Sequence, residues 1–153
     1  MGTHDAGASA VAGLLQALQP RSIATSDAPA VLALRQHPAL AAQPWLSPTA
    51  GREALFAADV GVTGAQWAIA ETGTLALDGS CERHRLASLL PPVHIALLPA
   101  SRLLADLGEV MKTLTRPLAP AITLVTGPSR TADIELELVV GVHGPGELHV
   151  VLV

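Results

Sequence analysis

The sequence holds one cysteine, Cys81, no tyrosine, and only Trp45, Trp67 and Phe56 as aromatic residues. A single thiol excludes an internal disulfide, and it excludes any iron–sulfur cluster or zinc site that draws several thiolates from one chain. A reducing compartment is expected. Charge is also scarce: nine Lys and Arg stand against thirteen Asp and Glu for a net charge of −4, and the basic residues are scattered. No patch is available to neutralise a row of phosphates, so nucleic acid is not an expected partner. Long apolar runs are missing as well. Leu86 to Ser101 carries no charge but contains Pro91, Pro92, His94 and Pro99, and it falls short of the roughly 20 residues that a spanning helix needs. It is expected to be core, with no membrane span. Met1 to Ala10 has neither Lys nor Arg and no apolar h-region, so no signal peptide is read and a cytoplasmic location is expected.

Several catalytic signatures are absent too. There is no G-x-x-x-x-G-K-[ST] phosphate loop, no G-x-S-x-G elbow, no H-E-x-x-H and no proper G-x-G-x-x-G after a strand. Standard nucleotide, hydrolase and zincin chemistries lose support. Cys81 follows Gly79-Ser80 without a base beside it in sequence, so a nucleophilic role has no local support.

What is present reads as one folded domain. The chain has 153 residues, half of them hydrophobic, enough for a single core of Leu, Val, Ile and Ala. Val11, Leu14, Leu15 and Leu18 fall at helical spacing after a possible cap at Ser9, and Pro20 ends the pattern. Arg21 to Thr25 suits a short strand, and Ser26, Asp27 and Pro29 signal the start of a helix running through Arg35. His37 to Gly51 reads as a loop with a short strand near Trp45 and Leu46, and Arg52 to Ala57 as a short helix. Gln66 to Asp78, interrupted at Glu71-Thr72-Gly73-Thr74, reads as a hairpin. Val93 to Leu98 is an apolar run, after which Ser101 is expected to open a helix with Leu103, Leu107, Val110 and Leu114 on one face. Ala121 to Thr126 and Leu148 to Val153 have the length of strands buried on both faces. Thr131 to Val140 suits either a strand or a helix. Apolar runs alternating with helices predict an α/β fold with a mainly parallel sheet flanked by helices.

In such a sheet ligands bind beyond the carboxyl ends of the strands, so the residues after each apolar run carry the candidate chemistry. Gly127-Pro128-Ser129-Arg130-Thr131-Ala132-Asp133 combines a turn, hydroxyls, a guanidinium and backbone N–H groups that suit a carboxylate or phosphate. The same residues suit a plain turn with Ser129 or Thr131 as a helix cap. Glu71-Thr72-Gly73-Thr74 puts a carboxylate beside hydroxyls, or is a solvated turn. His143 lies in Gly141-Val142-His143-Gly144-Pro145, where glycine permits close backbone approach to a ligand; the bland alternative is a loop histidine with no task. His94, inside an apolar run, reads as a core histidine satisfied by a hydrogen bond. No metal is expected, because His143, Glu147 and His149 with Asp133, Glu135 and Glu137 match no ligand spacing.

Five ordered strings carry a resemblance: Asp59-Val60-Gly61-Val62-Thr63-Gly64-Ala65, Ala68-Ile69-Ala70-Glu71-Thr72-Gly73-Thr74-Leu75, Ser88-Leu89-Leu90-Pro91-Pro92-Val93-His94-Ile95, Gly127-Pro128-Ser129-Arg130-Thr131-Ala132-Asp133-Ile134-Glu135 and Gly141-Val142-His143-Gly144-Pro145. Together they resemble the lactate-utilization (LUD) domain family, in its LutC/YkgG branch. The resemblance implies a NagB/RpiA/CoA-transferase-like fold over a single domain, 1–153, in which residues 1–58 form a motif-poor N-terminal region shorter than usual. It implies an accessory subunit of a system oxidising L-lactate to pyruvate, with iron–sulfur and LUD-type partner subunits. No cofactor is expected on this chain, and the clusters would sit on the partners. In that reading Thr72, Gly73, Thr74, Ser129, Arg130, Thr131 and Asp133 hold a small anionic ligand, and Glu71 and His143 transfer protons. The competing readings are a free-standing enzyme acting on an acyl-CoA or sugar phosphate, and a small-anion-binding regulatory module.

Overall fold

Val60-Gly61-Val62-Thr63-Gly64 alternates branched and small residues, and with Val93-His94-Ile95-Ala96-Leu97 it forms the two central strands of the fold. A computed structural model describes residues 3–47, 49–82, 85–114, 119–128, 130–132, 138–140 and 144–153; for 3–4, 130–132 and 138–140 it describes the backbone. Four parallel strands make the first sheet: β1 (Ile23–Thr25), β2 (Val60–Gly64), β5 (Val93–Leu98) and β10 (Glu147–Leu152), in the order β1-β2-β5-β10. The register sets Gly61 and Leu148 on either side of His94. A second, mixed sheet contains β3 (Trp67–Ile69), β4 (Thr74–Asp78), β6 (Leu103–Leu104) and β7 (Ile122–Val125), in the order β6-β3-β4-β7. A separate antiparallel pair joins β8 (Arg130–Ala132) to β9 (Leu138–Val140).

Strand alternation sorts the residues into layers. Val60, Val62, Ile95 and Leu97 face α1 (Thr3–Leu18) and α2 (Pro29–Gln36), meeting Val11, Leu15 and Val31 in the main core. Burying a side chain of the size of Leu15 or Ile95, both at most 1% exposed, contributes roughly 1.5–3 kcal/mol. The opposite face, with Ala96, Leu98 and Leu148, meets Ala68, Leu75 and Leu77 of the mixed sheet. The far side of that sheet packs Trp67, Ile69 and Ala76 on Val110 of α4 (Leu107–Thr113). The order is therefore helices, parallel sheet, mixed sheet, helix. The α/β class with a parallel sheet flanked by helices is as the sequence predicts, and so are α2, the short α3 (Arg52–Phe56) and the β3–β4 hairpin. Among the described residues no helix is long and apolar enough to cross a membrane.

Several expectations need correction. Ser9 caps nothing, because α1 begins at Thr3, and the added turn brings Ala8 into the core. The helix ends where Gln19 turns to φ 46 and donates its N–H to the Leu15 carbonyl at 2.9 Å, immediately before Pro20. Ser101 does not open α4 either: Leu103 and Leu104 pair with β3, and Asp106 is the cap, its carboxylate accepting the Glu109 N–H at 2.8 Å. The run at Ala121 to Thr126 yields β7, which joins the mixed sheet beside β4 and is only partly buried. β10 is an edge strand, with Val150 44% and Leu152 55% exposed, so neither run is buried on both faces. The ambiguous Thr131 to Val140 segment contributes the paired strands β8 and β9. The central strand β2 was not anticipated from sequence. A Cβ at Gly61 would stand 1.8 Å from the Ala87 carbonyl oxygen, so glycine lets the 3-10 turn Arg85–Ser88 press against the strand.

Candidate functional site

Gly61 is covered by the 3-10 turn, but beside it, where His94 and Leu148 of the parallel sheet face β7 and the turn after it, a cavity of about 200 Å³ opens. Ser88 and Leu89 bound it from the 3-10 turn, His94 and Leu148 from the parallel sheet, Thr123 to Gly127 from β7 and its following turn, and Gly144 and Pro145 from the approach to β10. His94 is fully buried. Its Nε2 lies 2.8 Å from Thr63 Oγ1, and that hydroxyl donates its hydrogen to the Gly64 carbonyl at 3.0 Å. Thr63 thus holds the ring at Nε2. Nδ1 has no hydrogen-bond partner among the described residues. Burial pulls the imidazole pKa down to about 4, so His94 is neutral around pH 7.

Three of the five strings that carry the family resemblance thus border one cavity: Ser88, Leu89 and His94 from the third, Gly127 from the fourth, and Gly144 and Pro145 from the fifth. A fourth string supports it. Thr72 Oγ1 lies 2.6 Å from Thr74 Oγ1, which lies 2.9 Å from Thr126 Oγ1. Thr74 pairs with Ile69, whose face turns toward α4, so these hydroxyls brace the turn after β7 from behind instead of lining the cavity. Gly73, at φ +67, supplies the left-handed residue of the hairpin turn and borders a separate apolar depression beside β10. Glu71 is exposed on that turn and lies outside the cavity wall.

Among the other expected site residues, Arg130 and Thr131 stand in β8, Arg130 three residues beyond Gly127. Ser129, Asp133 and His143 lie outside the described residues. Gly127 adopts φ +101, the left-handed turn expected of this loop. The cavity does not lie beyond the carboxyl ends of the parallel strands. His94 and Leu148 are second in their strands, so it flanks the amino-terminal half of the sheet. Inspecting the residues after each apolar run still leads to Thr126 and Gly127, because β7 runs in the other sheet and ends at the gap.

Sequence reasoning passes over two groups. His94 reads from sequence as a satisfied core histidine, and it is one at Nε2 only. The signal that could have marked it is its place in a strand beside glycine and threonine, residues too small to fill the space opposite. The other is Glu82, 1% exposed at the carboxyl end of β2. Its Oε1 accepts from Gln66 Nε2 at 3.1 Å and lies where a Cβ at Gly64 would come within 2.5 Å. Burial raises its pKa above the usual carboxylate value. Nothing in its local sequence marks it.

A two-sheet α/β domain with a small, mostly apolar cavity between its sheets is the class that this geometry defines. The sequence model described as "LUD domain" matches residues 44–153. Lactate utilization protein C of Halalkalibacterium halodurans is 42% identical over 94 residues, covering 58% of this chain and 41% of that protein. The protein of the same name from Exiguobacterium sp. is 40% identical over 112 residues, covering 69% and 49%, and that of Bacillus subtilis is 38% identical over 102 residues, covering 63% and 42%. This chain thus spans less than half the length of each. A crystal structure of a DUF162 family protein from Deinococcus radiodurans superposes with a TM-score of 0.65 at 24% identity, covering 95% of this chain and 80% of that one, and supports the fold. The chain belongs to the LUD domain family.

Proposed function

We propose that this chain is a LutC-like lactate utilization protein, an accessory subunit of a system that oxidises L-lactate to pyruvate, and that the cavity between its sheets holds the small acid. The observation that carries the reading is the convergence of three family-bearing strings on one cavity, in a chain about 40% identical to proteins named Lactate utilization protein C. A volume of about 200 Å³ suits an acid of a few carbons better than a coenzyme A thioester. The residues present do not suit an iron–sulfur cluster, since Cys81 is the only thiol of the chain. In this reading the electron carriers sit on iron–sulfur and LUD-type partner proteins in the cytoplasm. Arg130, three residues after Gly127 in sequence, is the proposed partner of the carboxylate, with Ser129, Thr131 and Asp133 as further proposed binding residues and Glu71 and His143 as the proposed proton-transfer groups.

Two experiments test this. Deleting the gene should impair growth on L-lactate and spare growth on pyruvate; equal growth on both would contradict it. Calorimetric titration with small acids should show Arg130→Ala weakened by about 1.5–3 kcal/mol, the scale of a charge-assisted hydrogen bond, with little change in melting temperature. A variant that binds like the parent but melts far lower would make the loop purely structural.

A further inference from the structure

The chain treats the two edges of its parallel sheet differently. It covers the β1 edge itself: Ile23 donates its N–H to the Pro44 carbonyl at 3.0 Å, and Leu46 donates to the Ile23 carbonyl at 2.9 Å. At β10, the opposite edge, no described strand pairs with the outer side. The N–H groups of Glu147 and Val153 point inward, to the carbonyls of Pro92 and Leu98. Alternation therefore turns the N–H and C=O of Leu148, Val150 and Leu152 outward. Such an edge accepts another strand unless a charge, a proline or a bulge guards it. β10 contains no lysine, arginine or proline, and its register against β5 runs unbroken from Glu147 to Leu152. Its one acid, Glu147, stands at the start and is held by His149 at 2.6 Å.

We propose that this edge is a self-association surface, on which β10 of a second copy pairs antiparallel about a two-fold axis through Val150. In that register Val150 exchanges both bonds with its counterpart, and Leu148 does so with Leu152 of the other copy, so all three outward residues are satisfied. The flanks suit the same occupant. On the side of the mixed sheet, Leu103, Val150 and Leu152 are 48%, 44% and 55% exposed and rim an open apolar depression. Pairing sets Leu152 of each copy beside Leu148 of the other and removes it from water. On the helix side α1 exposes Ala10, Gly13 and Ala17 along one face next to β10. Two copies of α1 can lie side by side over paired strands only if such residues are small, and a Cβ at Gly13 meets nothing within 4 Å. Each chain carries a net charge of −4, yet this strip of helix and the outward positions of β10 are uncharged. Glu147 opens β10 and the exposed Arg102 follows soon after its end, where Ala100 donates to the Val153 carbonyl. Antiparallel pairing thus brings Glu147 of each copy to the end that carries Arg102 of the other. The area is sufficient. α1, with 16 residues, is about 24 Å long, and the layers stack about 10 Å apart. The three layers present a face on the order of 600 Å², near the roughly 800 Å² that each partner contributes to a standard interface.

Sedimentation velocity of the purified full chain over a dilution series tests this, with circular dichroism on every variant. The parent should reach twice the 15.7 kDa of one chain and dissociate on dilution. Hydrogen exchange at the N–H groups of Val150 and Leu152 should slow as the concentration rises, because those groups meet water in the single chain and a carbonyl in the pair. Val150→Lys places a charge in the edge, and Gly13→Arg places bulk where the single chain has open space. Each should raise the dissociation constant on the order of tenfold or more, the scale of a buried group left without its partner, and leave the circular dichroism unchanged. Val150→Ile should keep the dimer. Should Val150→Lys not fold, Gly13→Arg decides, since the single chain has room for the new side chain. The mass of one chain at every concentration overturns the proposal. So does a dimer that survives both substitutions, or one whose slowed exchange falls outside β10, because that dimer uses another face.

Discussion

The two faces of β2 and β5 are built from alternate residues of the same short segments, yet they do different work. Toward the helices stand Val60, Val62, Ile95 and Leu97, buried against α1 and α2, with an apolar cavity of about 350 Å³ beside Leu97 between the two helices. Toward the mixed sheet and the 3-10 turn stand Gly61, Thr63, His94 and Ala96, three of them small, and a cavity remains beside His94. The period of two lets a strand spend one face on stability and leave the other for chemistry. Holding His94 neutral and half-partnered is tolerable because the opposite face buries four large apolar side chains.

If that division is real, the largest stability loss should come from the helix side. Leu97→Ala should destabilise by about 2–5 kcal/mol, through lost apolar burial and the cavity left behind. Denaturant unfolding measures it. A small loss would mean that the helix face is looser than its burial implies.

His94 gives the next effect, read against pH. Its folded pKa of about 4 lies below the unfolded value of 6.5. The unfolded chain therefore binds a proton that the folded chain refuses, and this contribution to stability is complete above pH 6.5 and declines as pH falls from 6.5 to 4. Its full size is about 3 kcal/mol. Glu82 acts in the opposite sense, since burial raises its pKa and its contribution is lost as pH rises above the ordinary carboxylate value. The difference between the parent and His94→Gln isolates the histidine: the acid-side slope should flatten in the variant, and an unchanged slope would show that His94 does not titrate as a buried group.

A smaller effect, about 1–3 kcal/mol, is expected for Gly61→Ala, whose new methyl must push the Ala87 carbonyl away. Because the displaced turn carries Ser88 and Leu89 into the cavity wall, ligand affinity should drop as well. Retained stability with retained binding would show that the turn yields freely.

How much of this the sequence discloses follows the same division. Helix-facing positions carry Val, Ile and Leu, so hydrophobic pattern reveals them, and β5, α2 and the β3–β4 hairpin are legible. β2 is not, because Gly61 and Gly64 depress local strand propensity for a tertiary reason, the close approach of Ala87 and Glu82. The placement of β7 in a second sheet is equally hidden, since an apolar run specifies a strand and not its partner. The loop after it is legible by its turn chemistry. His94 is not, because its role depends on which nitrogen Thr63 occupies, a three-dimensional fact. The hydroxyls of Thr72 and Thr74 are legible as chemistry but not as bracing, which only the pairing of Thr74 with Ile69 discloses.

The most direct test of the division between the two faces is an amide NMR titration of the purified chain with L-lactate. Shifts should gather at Leu89, His94, Thr123 and Gly127, around the cavity between the sheets, and Val31, Val62 and Leu97 on the helix side should stay still. Shifts gathered at Ser26, Gly64 and Glu82, beyond the carboxyl ends of the parallel strands, or no shifts at saturating L-lactate, would contradict it.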